Sequence, residues 1–339
     1  MNWTTRILPY SEVSEAANDT LAVGRTVIDD ESVLVDSRRL LQISRGDSSN
    51  LFVRNHMCLR SRTDGMGVEE IWGKLPLIIN QCTMRRFLRL TGYRNDDEVK
   101  VHVIPSQNAF TVANSCSIVS LGIGGDVKAE RKMKNDMPKC KFFGADPVKY
   151  PNQELFEKIG LFYNIAVGGR NGTLEATVLE QGDYHVREVK SVDIATFLRN
   201  FTRKSLIDQL MIDIEWAEYE ILPYFLRSGD LEKSDIVICQ VNIELHSPNP
   251  TQKRQFFEFF HGLMNDYRFT PLAVNSMIHH IRSLGNTAQS TSSIVGPPAE
   301  PPPGIPPPGM PPGIPPGAPP ALWYILVMMG LQTDSNSFC

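Results

Sequence analysis

The sequence predicts an α/β fold with a Rossmann-like, mostly parallel sheet, and three observations carry that prediction. Apolar runs alternate with amphipathic stretches from residue 115 to about 285. The first run ends in a cluster of glycines, and the second ends in an aspartate. Alternation of this kind signals βαβ units, which need a parallel sheet covered by helices.

The runs are SIVSLGI (117–123), KFFGAD (141–146), LFYNIAV (161–167), QLMIDIE (209–215), IVICQVNIEL (236–245) and the weaker FTPLAV (269–274). Helices are expected between them, in VKAERKMKN, PNQELFEKIG, AEYEILPYFLRSG and PTQKRQFFEFFHGLMNDY, because their apolar residues recur three or four apart. After the third run, NGTLEATVLE and YHVREVKSV read as a strand pair and VDIATFLRNF as a short helix.

The rest of the chain reads differently. Residues 1–65 are polar and mixed, and are expected to form a loosely packed N-terminal arm. Residues 66–114 carry helix-like stretches and are expected to cap the following domain. Residues 286–339 form a tail of low complexity: 296–320 hold most of the chain's 24 prolines, which bars them from helix and sheet interiors and favours polyproline II. The run ALWYILVMMGL near the end is too short for a membrane-spanning helix. No signal peptide is visible, which leaves the cytoplasm as the default compartment. The net charge of −4 gives no basic face of the kind nucleic-acid partners require. The six cysteines include no CxxC pair. They read as buried thiols, and no metal site is assigned.

The sharpest local signal is VSLGIGGDV (119–127). A strand runs into Gly122, Gly124 and Gly125, and a helix follows. Such a bend lets backbone N–H groups face a ligand at a helix N-terminus. A dinucleotide fingerprint would need glycine at 127, where Val127 stands, and Asp126 would meet a pyrophosphate with the wrong charge. A cationic sulfonium with a free amino group tolerates that aspartate, which favours S-adenosylmethionine over NAD. Asp146 lies where Rossmann sheets place the carboxylate that grips ribose hydroxyls. Asp213 and Glu215 alternate with apolar residues and so share one side of the fourth strand's end. There they orient an acceptor, hold the cofactor's amino group or bind a cation. His246, two residues beyond Glu244 at the next strand's edge, is a candidate general base. The hydrolase elbow G-x-S-x-G and the phosphate-binding loop G-x-x-x-x-G-K-[ST] are absent.

Taken together, LGIGGDVKAE, FFGADPV, YNIAVGGRNGT, VKSVDIATFL, LMIDIEWAEYEIL and CQVNIELH resemble, in order and spacing, the FkbM-type methyltransferases. The resemblance covers about half of the chain. It implies a class I S-adenosylmethionine-dependent fold and methylation of a hydroxyl on a sugar or other small molecule. By position it places Gly122, Gly124 and Asp126 along the methionine part of the cofactor and Asp146 on its ribose. Asn164 and Ala166 fall near the adenine, and Asp213 and Glu215 beside the methyl transfer. Two departures stand out. Trp216 occupies the position of a glycine in the family's D-x-E-G-A-E pattern, where a large ring is expected to narrow the acceptor pocket or block it. The strand pattern also fades before the proline-rich segment, so the sheet is expected to lack its last strand. The PPPGI and PPPGM repeats offer an alternative role, as a scaffold whose polyproline segment binds a WW- or GYF-type module.

Overall fold

The computed structural model describes residues 47–83, 88, 90–96, 98–103, 116–180, 183–278 and 322–330. The first 46 residues and the proline-rich run at 296–320 lie outside the described residues, so the expectations for them are not addressed.

A seven-stranded sheet organises the chain. Its strands are β3 (Ser117–Leu121), β4 (Lys141–Ala145), β5 (Leu161–Tyr163), β10 (Gln209–Ile212), β12 (Gln240–Leu245), β13 (Phe269–Ile278) and β14 (Leu322–Gly330), in the spatial order β13-β14-β12-β10-β3-β4-β5. The five from β12 to β5 are mutually parallel. β3, β10 and β12 are buried at every residue. Most of their residues are apolar, as parallel strands covered on both faces tend to be, but Ser117, Ser120, Gln209, Gln240, Asn242 and Glu244 are buried with them.

The expected absence of a last strand is overturned. β14 inserts between β12 and β13 and pairs antiparallel with both. The apolar run near the end, too short to span a membrane, supplies that strand. It escaped the sequence reading because residues 279–321 separate it from its hairpin partner, far more than an ordinary hairpin loop. Tyr324, Leu326, Val327 and Met328 are each at most 1% exposed.

Two regions outside the parallel sheet position the site. Helices α1 (Asp47–Thr63) and α2 (Val68–Cys82) precede a hairpin of β1 (Leu90–Arg94) and β2 (Val99–Val103). So the part of the N-terminal arm that is described is helical, and the cap is a helix plus a hairpin. A separate three-stranded sheet joins β6 (Ala166–Gly168), β7 (Gly172–Glu180) and β8 (Asp183–Asp193), with β7 and β8 antiparallel, and two short strands, β9 (Leu206–Ile207) and β11 (Val237–Ile238), pair parallel with each other.

The helices follow their sequence signals. α8 (Pro250–Asp266) starts at a capping box: Asn249 accepts from the Thr251 and Gln252 N–H groups, and the Gln252 side chain accepts from the Asn249 N–H. Its buried face is Phe256, Phe259, Phe260, Leu263 and Met264, a 3–4 spacing. Phe256 meets Trp72 of α2 edge-on at 5.2 Å, and full burial of each such side chain contributes about 1.5–3 kcal/mol. α3, Lys128–Asp136, also keeps its expected length, and the remaining helices expected within the α/β region are shorter. α4 covers Asn152–Phe156, and α5, Ile194–Thr196, leads into a π-helical turn. α6, Glu218–Ile221, breaks into a 3₁₀ turn at Pro223, which removes an N–H donor. α7 spans Asp230–Lys233.

The cysteines also correct the sequence reading. Cys58–Cys82 links α1 to α2, and Cys116–Cys140 links the starts of β3 and β4. Partners 24 residues apart in each pair are joined only by tertiary packing, which spacing alone does not reveal. Cys239 is buried outside both bridges.

Candidate active site

The glycine turn leaves β3 at the C-terminal edge of the sheet, where open α/β folds bind ligands. Gly122, Gly124 and Gly125 all have positive φ, +79°, +60° and +81°. Their reasons differ. A Cβ on Gly122 would stand 1.7 Å from the Asp213 carbonyl oxygen, whereas Gly124 and Gly125 face open space. Gly122 is therefore required by the neighbouring strand, and the other two by backbone conformation.

Asp146 at the end of β4 braces this turn. Its Oδ2 accepts from the N–H groups of Ile123 (2.8 Å) and Gly124 (3.4 Å), and its Oδ1 from that of Val148 (2.7 Å). Burial raises its pKa above the ordinary carboxylate value, and these donors oppose the rise. The Asn152 side chain adds a fourth hydrogen bond to this carboxylate. Asn164 donates to the carbonyls of Asp146 and Pro147 and holds the strand end in place. Asp126 accepts from the Lys128 and Asp96 N–H groups, tying the start of α3 to the β1–β2 hairpin.

A cavity of about 930 Å³ opens over this edge. Gly122, Gly124, Asp126, Asp146, Ala166, Asp213, Glu215 and His246 line it; Gly125 and Asn164 do not. One wall is β7, from Thr173 to Leu179, which the sequence did not point to. Its alternation looked like any exposed strand. Trp216 also lines the cavity and leaves it open. Glu215 and Trp216 both sit at positive φ, 54° and 70°. That explains why a glycine suits position 216: a side chain there bears left-handed strain. The indole is held in return, its Nε1–H donating to the Ser247 carbonyl at 3.0 Å and its ring 5.0 Å from the His246 ring.

Carboxylates crowd the inner end of the cavity. His246, only 1% exposed, has Nδ1 at 2.9 Å from Glu218 and Nε2 at 3.1 Å from Glu215, with Asp213 at 3.7 Å. Burial alone would lower its pKa. The Glu218 charge and the contacts to Glu215 and Glu218 more than reverse this and hold the ring well above its ordinary value. With a carboxylate facing each ring nitrogen, His246 is an electrostatic partner of Glu215 and Glu218. Burial, and then the charge of Glu215, pushes Asp213 well above the carboxylate range. Burial and the Asp213 charge push Glu244 up to about 10. On the other side, Lys100 pairs with Glu98 at 3.0 Å and Glu130 at 2.9 Å.

Glu98 and Lys100 come from the hairpin read as part of a cap, and Glu218 from a short helix. No spacing signal links them to the strand edges. Only the fold brings them together.

A mostly parallel seven-stranded sheet thus carries a glycine turn and an acidic strand edge around one cavity. The methyltransferase FkbM domain model matches residues 81–271, more than half of the chain, and the protein belongs to that family. No curated protein and no solved structure matched the chain significantly. Among the described residues no helix is long and apolar enough to cross a membrane.

Proposed function

We propose that the protein transfers the methyl group of S-adenosylmethionine to a hydroxyl oxygen of a sugar or other small molecule. One observation carries this reading: the Gly124 N–H and the Asp146 carboxylate meet at the same sheet edge, beside an open cavity. A cofactor lying there places its ribose at Asp146, its methionine part along Gly122, Gly124 and Asp126, and its adenine by Ala166. Gly125 and Asn164 support the walls. The sulfonium then faces Asp213 and Glu215.

The reaction is an in-line displacement. A lone pair on the acceptor oxygen attacks the methyl carbon, the carbon–sulfur bond breaks, and S-adenosylhomocysteine leaves. Alignment of the oxygen with that bond supplies most of the acceleration. Asp213, at the end of β10 beside the cavity, is placed to take the hydroxyl proton. His246 orients Asp213 and Glu215 through the contacts above.

The test is incubation of the full chain with S-adenosylmethionine and a panel of saccharides and small alcohols, followed by mass spectrometry. A product heavier by one CH₂ on oxygen, formed at least tenfold more slowly by Asp213→Asn, supports the proposal. Methylation confined to nitrogen or carbon acceptors contradicts it.

A further inference from the structure

Glu98, Asp213 and Glu244 each present a carboxylate oxygen to one point, with these oxygens all within 4.8 Å of one another. They come from the hairpin turn, the end of β10 and the end of β12, and all three line the cavity. Oxygens on opposite sides of a cation bound at about 2.1–2.4 Å stand about 4.2–4.8 Å apart. The three side chains are therefore already spaced for a shared ion.

A second observation is independent of that spacing. Glu244 is 6% exposed, yet among the described residues its carboxylate takes part in no hydrogen bond. Its one basic neighbour within ion-pair range is His246 Nε2, at the 4.0 Å limit. Asp213 Oδ1 is likewise buried without a hydrogen-bond partner. A buried carboxylate left unpaired costs several kcal/mol, and proteins keep such groups where something else completes them.

The bases present are already engaged. Lys100 bonds Glu98 and Glu130, and His246 has Glu215 and Glu218 at its two nitrogens. With both ring nitrogens facing carboxylates, His246 is a poor ligand, which leaves an all-oxygen set. Such sets take hard ions. We propose that Glu98, Asp213 and Glu244 hold a divalent cation of the magnesium, manganese or calcium class. Its existence does not depend on the methyltransferase reading. Its role does: beside the acceptor it would bind and acidify the hydroxyl.

Manganese titration of the full chain, followed by electron paramagnetic resonance, tests the site. The wild type is expected to take up one Mn²⁺ per chain, displaced by excess Mg²⁺ or Ca²⁺, and Glu244→Gln and Glu98→Gln each to weaken it at least tenfold. Thermal melts in EDTA establish that the variants fold, and Glu98→Gln, outside the central sheet, serves if Glu244→Gln does not. Absence of uptake by the wild type, or uptake by folded variants equal to it, overturns the proposal. Calorimetry with S-adenosylhomocysteine in EDTA separates the two readings. Cofactor binding without Mn²⁺ uptake ends the cation site alone, and Mn²⁺ uptake without cofactor binding ends the methyltransferase reading alone.

Discussion

The backbone of Gly122 lies against the carbonyl of Asp213 so closely that a Cβ would come within 1.7 Å of that oxygen. The glycine turn and the acidic edge of β10 are therefore one unit, and the Asp213 N–H, bonded to the Leu121 carbonyl at 2.9 Å, closes it. Gly122→Ala is expected to cost about 3 kcal/mol or more, from overlap plus left-handed strain. Gly124→Ala, with open space at its Cβ and φ of +60°, should cost only about 1–2 kcal/mol. Denaturant melts of the two variants check this, and equal losses would refute the assignment.

The late strand and its connection make opposite predictions. Truncation after residue 321 removes β14 with Tyr324, Leu326 and Met328, all at most 1% exposed. Each contributes about 1.5–3 kcal/mol, against a net stability of about 5–15 kcal/mol, so the truncated chain should not unfold cooperatively. Replacing residues 286–318 with a short Gly/Ser linker should leave the melting temperature nearly unchanged, since each halving of a loop alters its closure cost by only about 0.6 kcal/mol. Ile278 and Leu322 are already partners across the pair, so a short linker reaches.

Trp216→Gly relieves φ of +70°, worth about 1–2 kcal/mol. It also gives up the indole's bond to Ser247, worth about 1 kcal/mol, and its packing on His246. Stability should shift by about 1 kcal/mol or less, with S-adenosylhomocysteine affinity within about threefold of wild type. A loss of both would show that the indole shapes the cofactor pocket and not the acceptor side.

Burial, chiefly, lowers the pKa of His56 from 6.5 to about 4. Its ring stacks on Tyr267 at 3.9 Å. With the folded value below the unfolded one, His56 costs no stability above about pH 6.5. As pH falls from 6.5 to 4 the unfolded state takes a proton that the folded state refuses, which removes up to about 3 kcal/mol. His56→Phe should therefore lose less stability than wild type between pH 7 and pH 4.5, measured by urea unfolding. Parallel losses would contradict this.

Alternation of mainly apolar runs with amphipathic stretches, and the placement of the glycines, made the parallel strands legible. The β7–β8 pair was legible from its alternation. β14 was not, since its partner lies across residues 279–321 and pairing at that distance leaves no local mark. Asp146, Asp213, Glu215 and His246 could be placed because each ends a strand, and strand ends share one edge. Glu98 and Glu218 could not, because tertiary packing alone carries a hairpin turn and a four-residue helix to that edge. The acid–base state of His246 was equally hidden: it depends on Glu218, four residues after Ile214, whose N–H the same Glu218 oxygen accepts.

The most direct test of the account is calorimetry of S-adenosylhomocysteine with the full chain and with Asp146→Ala. The account predicts one molecule bound per wild-type chain and affinity at least tenfold weaker in a folded Asp146→Ala variant. A folded wild type that binds none, or an Asp146→Ala variant that binds as tightly as wild type, would contradict it.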